Sequence, residues 1–208
     1  MSQINQLVSE SDIKKEDNTL RKKILLFFIS ELLLFGGWFV VYAIYKNQFA
    51  TEFNYYSLKL NTTLGTLNTV ILISSGLLVS LSLTSLKKEN KFLSEILIVL
   101  AETFALMFLV NLFFEWGVKI SAGLYPTSEI LAAKGSGEVL FYYLYFIMTG
   151  IMALHLILGI IVLANILIQI FKDKILSSDP NKLDDANMYW NFTVLIWLFV
   201  FPLFYLIQ

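Results

Sequence analysis

Long apolar runs alternate with short polar connections along this chain. Five runs stand out, at 24–45, 64–86, 92–118, 139–171 and 188–207. A helix needs about 20 mostly apolar residues to cross a bilayer, and each run meets that length. In hydrocarbon every backbone N–H and C=O must be satisfied within the segment, so such runs predict helices. Barrel strands would show short alternating segments instead. The fourth run is long enough to tilt or to emerge from the membrane. The pattern predicts an all-α membrane protein, a five-transmembrane-helix bundle over 24–208. Ahead of it, residues 1–23 are polar and mixed in charge, which predicts a disordered cytoplasmic tail.

Charge orients the bundle. Eleven basic residues fall on one side: Lys14, Lys15, Arg21, Lys22, Lys23, Lys87, Lys88, Lys91, Lys172, Lys174 and Lys182. Four fall on the other: Lys46, Lys59, Lys119 and Lys134. The positive-inside rule then places the N-terminus in the cytoplasm, and an odd number of spans places the C-terminus outside. Composition agrees with a membrane protein. Of 208 residues 57% are hydrophobic and 15% charged, whereas soluble domains are about a quarter charged.

The chain has no cysteine and one histidine. That excludes disulfides, iron–sulfur ligation, thiolate zinc sites and c-type haem attachment. One imidazole cannot serve both a bis-histidine haem and a copper site. The expectation is that this chain binds no metal and no redox cofactor. A net charge of −1 gives no reason to expect nucleic acid.

Ionisable groups inside spans are expensive and are functional candidates by default. Three carboxylates qualify: Glu31, Glu102 and Glu115. At a rise of about 1.5 Å per residue, Glu31 lies roughly 10 Å deep beside Ser30, and Glu102 roughly 15 Å deep, near the midplane. A carboxyl as deep as Glu31 favours its neutral form. His155 enters from the other side to a similar depth, so a Glu102–His155 hydrogen bond that fixes helix register is expected. Glu115 sits near the outer end beside Trp116, half in water. Asn68, Asn111, Asn165 and Asn191 complete the polar set. Trp38, Tyr42, Tyr45, Trp116, Tyr125, Tyr189 and Trp190 read as an interfacial aromatic belt. Small residues at Gly36, Gly37, Gly76, Ser80 and Gly150 allow close helix packing. The first four of these are expected to form a face for a partner.

Five stretches in order carry a resemblance. They are "SELLLFGGWF" at 30–39, "LNTVILISSG" at 67–76 with Leu60-Asn61-Thr62 ahead of it, "FFEWG" at 113–117, "YFIMTGIMALHLILG" at 145–159, and "YWNF" at 189–192 with its aromatic-rich continuation. Together they resemble subunit III of haem–copper oxidases, in the short five-helix bacterial form. Three positions depart from the family pattern: Met152 and Asn191 stand where it has histidine, and Val194 where it has aspartate. Such departures point towards a divergent branch, and one such branch consists of subunit-III-like proteins linked to nitric oxide reductase; subunit III of a quinol-fed oxidase is a further alternative to that of a cytochrome c-fed one.

The resemblance implies an accessory, cofactor-free subunit in the bacterial inner membrane. It implies a catalytic subunit I and a subunit II as partners, with haem and copper held there. Bound phospholipid, support of proton uptake during O2 reduction, and a setting within a respiratory supercomplex are further implications. The family's buried helix carboxylate carries over to Glu31, its outer-end carboxylate to Glu115 and its histidine to His155. Glu102 has no counterpart. The reading of a different class is an independent small transporter or channel.

Overall fold

The computed structural model describes residues 26, 28–177 and 179–206. The polar tail at 1–23 and the last two residues lie outside the described residues. Two compact units divide the chain at Ala43/Ile44.

Among the described residues, five helices are long and apolar enough to cross a membrane. In chain order they are α1 (Phe28–Gln48), α3 (Thr62–Lys87), α4 (Lys91–Ser121), α6 (Ser136–Phe171) and α7 (Asn181–Tyr205). Two short helices sit in the connections, α2 (Ala50–Ser57) and α5 (Glu129–Ala132). Most of the first unit's described residues belong to α1. Leu32, Leu33, Leu34 and Val40 on that helix are exposed, and the Phe35 and Phe39 rings pack 6.4 Å apart.

In the second unit α3, α4, α6 and α7 form a closed four-helix cycle. The α3 helix packs on α4 and α7, and α6 packs on the same two. The cause is local. The connection between α3 and α4 is three residues long, with Glu89 in the left-handed region (φ 63°) and the Asn90 side chain capping the Leu93 N–H. Such a turn forces antiparallel neighbours. At α3's start, Asn61 caps the Leu64 N–H in the same way.

The fifth spanning helix begins at Asn181, seven residues before the apolar run at 188. Its first two turns are amphipathic: Leu183 and Ala186 are buried, while Asn181, Lys182 and Asp185 are exposed. Hydropathy averages such turns away. At this end of the bundle, which carries the basic connections, Lys91 reaches Asp173 at 2.6 Å and Lys87 reaches Asp184 at 3.6 Å. The α2 helix also escapes a hydropathy search. It lies on α6, where Gly137 admits Glu52: a Cβ at Gly137 would stand 2.8 Å from the Glu52 Cβ. Tyr56 of α2 donates to Glu138 Oε2 at 2.6 Å. Burial, and then that carboxylate, push the Tyr56 phenol well above its ordinary range.

Candidate functional site

The polar side chains inside the four-helix unit form three layers of cross-links. The layer nearest the basic end joins α3 to α7. Asn191 donates to Asn187 Oδ1 at 2.8 Å and to Ser80 Oγ at 3.1 Å, and Ser80 donates to Asn187 Oδ1 at 2.8 Å. Gly76 makes room for it: a Cβ there would lie 2.9 Å from Asn191 Oδ1 and 3.3 Å from a Val194 methyl. Gly76 and Ser80 therefore face α7. The expectation that they present a face to a partner is corrected. Of the other small residues, Gly36 and Gly37 have open space where a Cβ would go, and a Cβ at Gly150 would lie 3.8 Å from the Trp116 ring.

The middle layer is built on indoles. Trp190 Nε1 donates to Ser75 Oγ at 3.1 Å, and Ser75 passes its own hydrogen to the Ala101 carbonyl at 2.8 Å. One chain of bonds thus ties α7 to α3 to α4. Trp197 Nε1 donates to Thr69 at 2.9 Å, and its ring meets Phe108 edge-on at 4.7 Å. Asn111 donates to Asn68 at 2.9 Å. Gly159 takes the Trp190 ring, whose carbons stand 3.0 Å from where its Cβ would be. Trp190 is 1% exposed, so it is a core residue and no part of an aromatic belt. Trp116 likewise turns inward, donating to Thr149 at 3.2 Å. Tyr189 donates to the His155 carbonyl at 2.9 Å.

The third layer lies at the far end and centres on Glu115, which is 5% exposed. Tyr205 donates to its Oε2 at 2.7 Å, and the Asn61 N–H approaches Oε1 at 3.4 Å. The fully buried Tyr145 is a neighbour of both Glu115 and Tyr205. Lys119, one turn on and also buried, donates to the Lys59 carbonyl at 2.9 Å. A cavity of about 320 Å3 opens beside them, lined among others by Lys59, Asn61, Leu64 and Phe114. Glu115 is therefore not half in water. Gly65 is the reason: the Tyr205 ring lies 2.8 Å from where its Cβ would be, which lets the phenol reach the carboxylate. Neither Gly65 nor Tyr205 carries a sequence signal of its own. Their partnership depends on two helices 140 residues apart.

Glu102 and His155 do not meet as expected. His155 Nδ1 engages the Ile151 carbonyl on its own helix at 2.8 Å. Glu102 Oε1 is buried and has no hydrogen-bond partner among the described residues. Register explains the miss. The Lys91–Asp173 and Trp116–Thr149 contacts fix how α4 runs past α6. Glu102 is eleven residues from Lys91, while His155 is eighteen from Asp173. The offset of seven residues is roughly 10 Å along the axis. Glu31 is half-buried on α1, next to the exposed Ser30. Asn165 is exposed on α6.

No group of three or more His, Cys, Asp or Glu that could hold a metal occurs among the described residues. The polar groups instead serve packing between helices, and comparison with known proteins identifies the scaffold. The family model described as cytochrome c oxidase subunit III matches residues 6–208. The chain belongs to that family. Membership makes it a subunit-III-type accessory component of haem–copper oxidases, embedded in a membrane.

Relatives with curated names agree with this family. "Heme-copper oxidase subunit I+III" of Aeropyrum pernix is 26% identical over 196 residues, covering 90% of this chain and 23% of the relative. This chain thus spans about a quarter of that fused protein. "Cytochrome bo(3) ubiquinol oxidase subunit 3" of Buchnera aphidicola is 26% identical, covering 87% of this chain and 90% of the relative. "Cytochrome c oxidase subunit 3" of Thermostichus vulcanus is 23% identical, with 88% and 85% covered.

Proposed function

We propose that this subunit supports the assembly and sustained turnover of a terminal oxidase that reduces O2 to water, packing beside a catalytic subunit I. The observation that carries the reading is where the in-span polar side chains go. Asn191, Ser80, Trp190, Ser75, Asn111 and Glu115 are all spent on bonds between this chain's own helices. A transporter or channel would line a path with such groups. Here they lock a scaffold. The fused relative, whose name joins subunits I and III, supports subunit I as the neighbour.

The finer parts of the reading are a subunit II in the same complex, bound phospholipid, a bacterial inner-membrane location and a contribution to proton uptake. Glu31 is the residue proposed for that contribution, acting in support of the catalytic subunit's own pathway. Both cytochrome c and quinol oxidases are named among the relatives, so the electron donor is one of these two. The test is purification through this subunit. Haem bands and O2 consumption in the isolated complex support the reading. Haem with NO reduction and no O2 reduction moves it to a nitric oxide reductase, and a haem-free homo-oligomer rejects it. Glu31→Gln should leave assembly intact and reduce sustained turnover modestly. Immediate loss of O2 reduction in an assembled Glu31→Gln complex would place Glu31 on the main proton path instead.

A further inference from the structure

Among the described residues of the four-helix unit, Ser94 Oγ, Glu95 Oε1, the Tyr145 hydroxyl and Glu102 Oε1 are buried without a hydrogen bond, and Glu102 is the one at mid-membrane. Glu102 lies eleven residues into α4 from Lys91, so roughly 16 Å from the basic end, halfway through a hydrocarbon layer of about 30 Å. Its Oε1 is buried without a hydrogen bond, although the residue as a whole is only partly covered. Leaving a carboxyl unsatisfied in hydrocarbon is costly, and acyl chains offer no donor.

The direction it faces follows from the helix. Glu102 is two heptads before Trp116 and one heptad after Glu95, so the three share a stripe of α4. Trp116 packs on α6 through Phe146 and Thr149, and Lys91 beside Glu95 reaches Asp173 just past α6. The stripe therefore runs along the seam between α4 and α6. On its outer side that seam is mostly apolar and uncovered: Val99 and Leu106 of α4, and Leu158, Ile161 and Val162 of α6, are all exposed, with Thr103 and Asn165 as exposed polar neighbours. At the basic end the seam opens into a groove of about 300 Å3, lined by Phe92, Glu95, Ile96, Val99, Leu100 and Phe171. The groove stops two residues short of Glu102.

The geometry points to a docking surface: a transmembrane helix of the catalytic subunit lies along the α4–α6 seam and donates a neutral O–H or N–H to the part of the Glu102 carboxyl that its own chain leaves uncovered. This rests on the subunit III reading above. A helix is the occupant because only protein presents a hydrogen-bond donor at the midplane while covering apolar residues on both sides. The donor comes from a hydroxyl, amide or indole side chain. The Aeropyrum relative, named for subunits I and III in one chain, supports the catalytic subunit as its source.

The experiment uses the complex purified through a tag on the catalytic subunit. Glu102→Leu should lower recovery of this subunit at least tenfold, while Glu102→Gln, which keeps an acceptor and the shape, should stay within twofold of wild type. Thermal unfolding of the full chain alone in detergent separates docking from folding, and both variants should melt as wild type does. The chain has no cysteine, so Thr103→Cys, at an exposed neighbouring position, gives a single spin-label site. That label should be mobile in the isolated subunit and immobilised in the complex.

Wild-type recovery of Glu102→Leu overturns the proposal. So does a lower melting temperature of the Glu102→Leu chain alone, which would give the carboxyl an internal role, and so does a label equally mobile in both states. Loss of Glu102→Gln to the same extent as Glu102→Leu overturns the neutral donor. Association of the labelled chain with itself in place of the catalytic subunit makes the occupant a second copy. If the wild-type chain recovers no haem-bearing partner at all, the subunit III reading fails first, and the docking surface with it.

Discussion

Glu102 and Glu115 lie on one helix, thirteen residues apart, and live in opposite conditions. Glu115 is near the end of its span, close to water, yet it is sealed in and bonded by Tyr205. Glu102 is at the middle, far from water, yet it is only partly covered and its buried oxygen has no donor. Depth alone would have ranked them the other way. What separates them is whether the chain spends another helix on them. A glycine at 65 and a tyrosine at 205 are arranged for Glu115, while no described residue of α6 hydrogen-bonds the buried oxygen of Glu102. A carboxyl that its own chain satisfies belongs to the architecture of the subunit. One that its chain leaves open belongs to whatever packs against it.

That contrast can be broken from either side, and the largest effect should come from the glycine. Gly65→Leu drives a side chain into the Tyr205 ring and removes the phenol from Glu115. Overpacking and a newly unpaired buried carboxyl together should destabilise the chain by about 3 kcal/mol, read by thermal unfolding in detergent. Tyr205→Phe removes only the donor and should cost about 1–2 kcal/mol. In a cycle with Glu115→Gln the two changes should be clearly non-additive, and additivity would show that the 2.7 Å contact carries no energy. Gly76→Ala should cost about 1 kcal/mol by pressing on Asn191, and Asn191→Ser should recover part of it. Smallest of all, Glu102→Gln should change the stability of the isolated chain by less than about 0.5 kcal/mol, within the range for positions away from internal contacts. A larger loss there would erase the distinction between the two carboxylates.

The five spans were legible because hydropathy measures what hydrocarbon selects, and the α3–α4 reversal was marked by "KKEN". The start of α7 was not, because its first turns are held by Leu183 and Ala186 on one face only. Trp190 and Trp116 read as interfacial because tryptophan is common there, whereas the notch at Gly159 that draws Trp190 inward is visible only once α6 and α7 are side by side. The Glu102–His155 pair failed for a related reason. Depth counted from the span ends ignores how far each helix runs past the bilayer, and α6 is 36 residues long, roughly 54 Å. Its extra turns shift His155 by about two turns relative to α4. For the candidate site, residue types and approximate levels could be read, but pairings could not, since each one depends on register between helices far apart in sequence.

The glycine notches also set an order of events. Gly65, Gly76 and Gly159 all receive side chains from α7, the last of the described helices to be synthesised. Until α7 arrives, Ser75, Thr69 and Glu115 lack the partners it brings, and the nascent four-span intermediate holds a carboxyl and two hydroxyls without them in the bilayer. The arrival of α7 supplies Trp190, Trp197 and Tyr205 to these three in turn. Seating of α7 is thereby coupled to maturation of the fold, because one helix satisfies all three groups together.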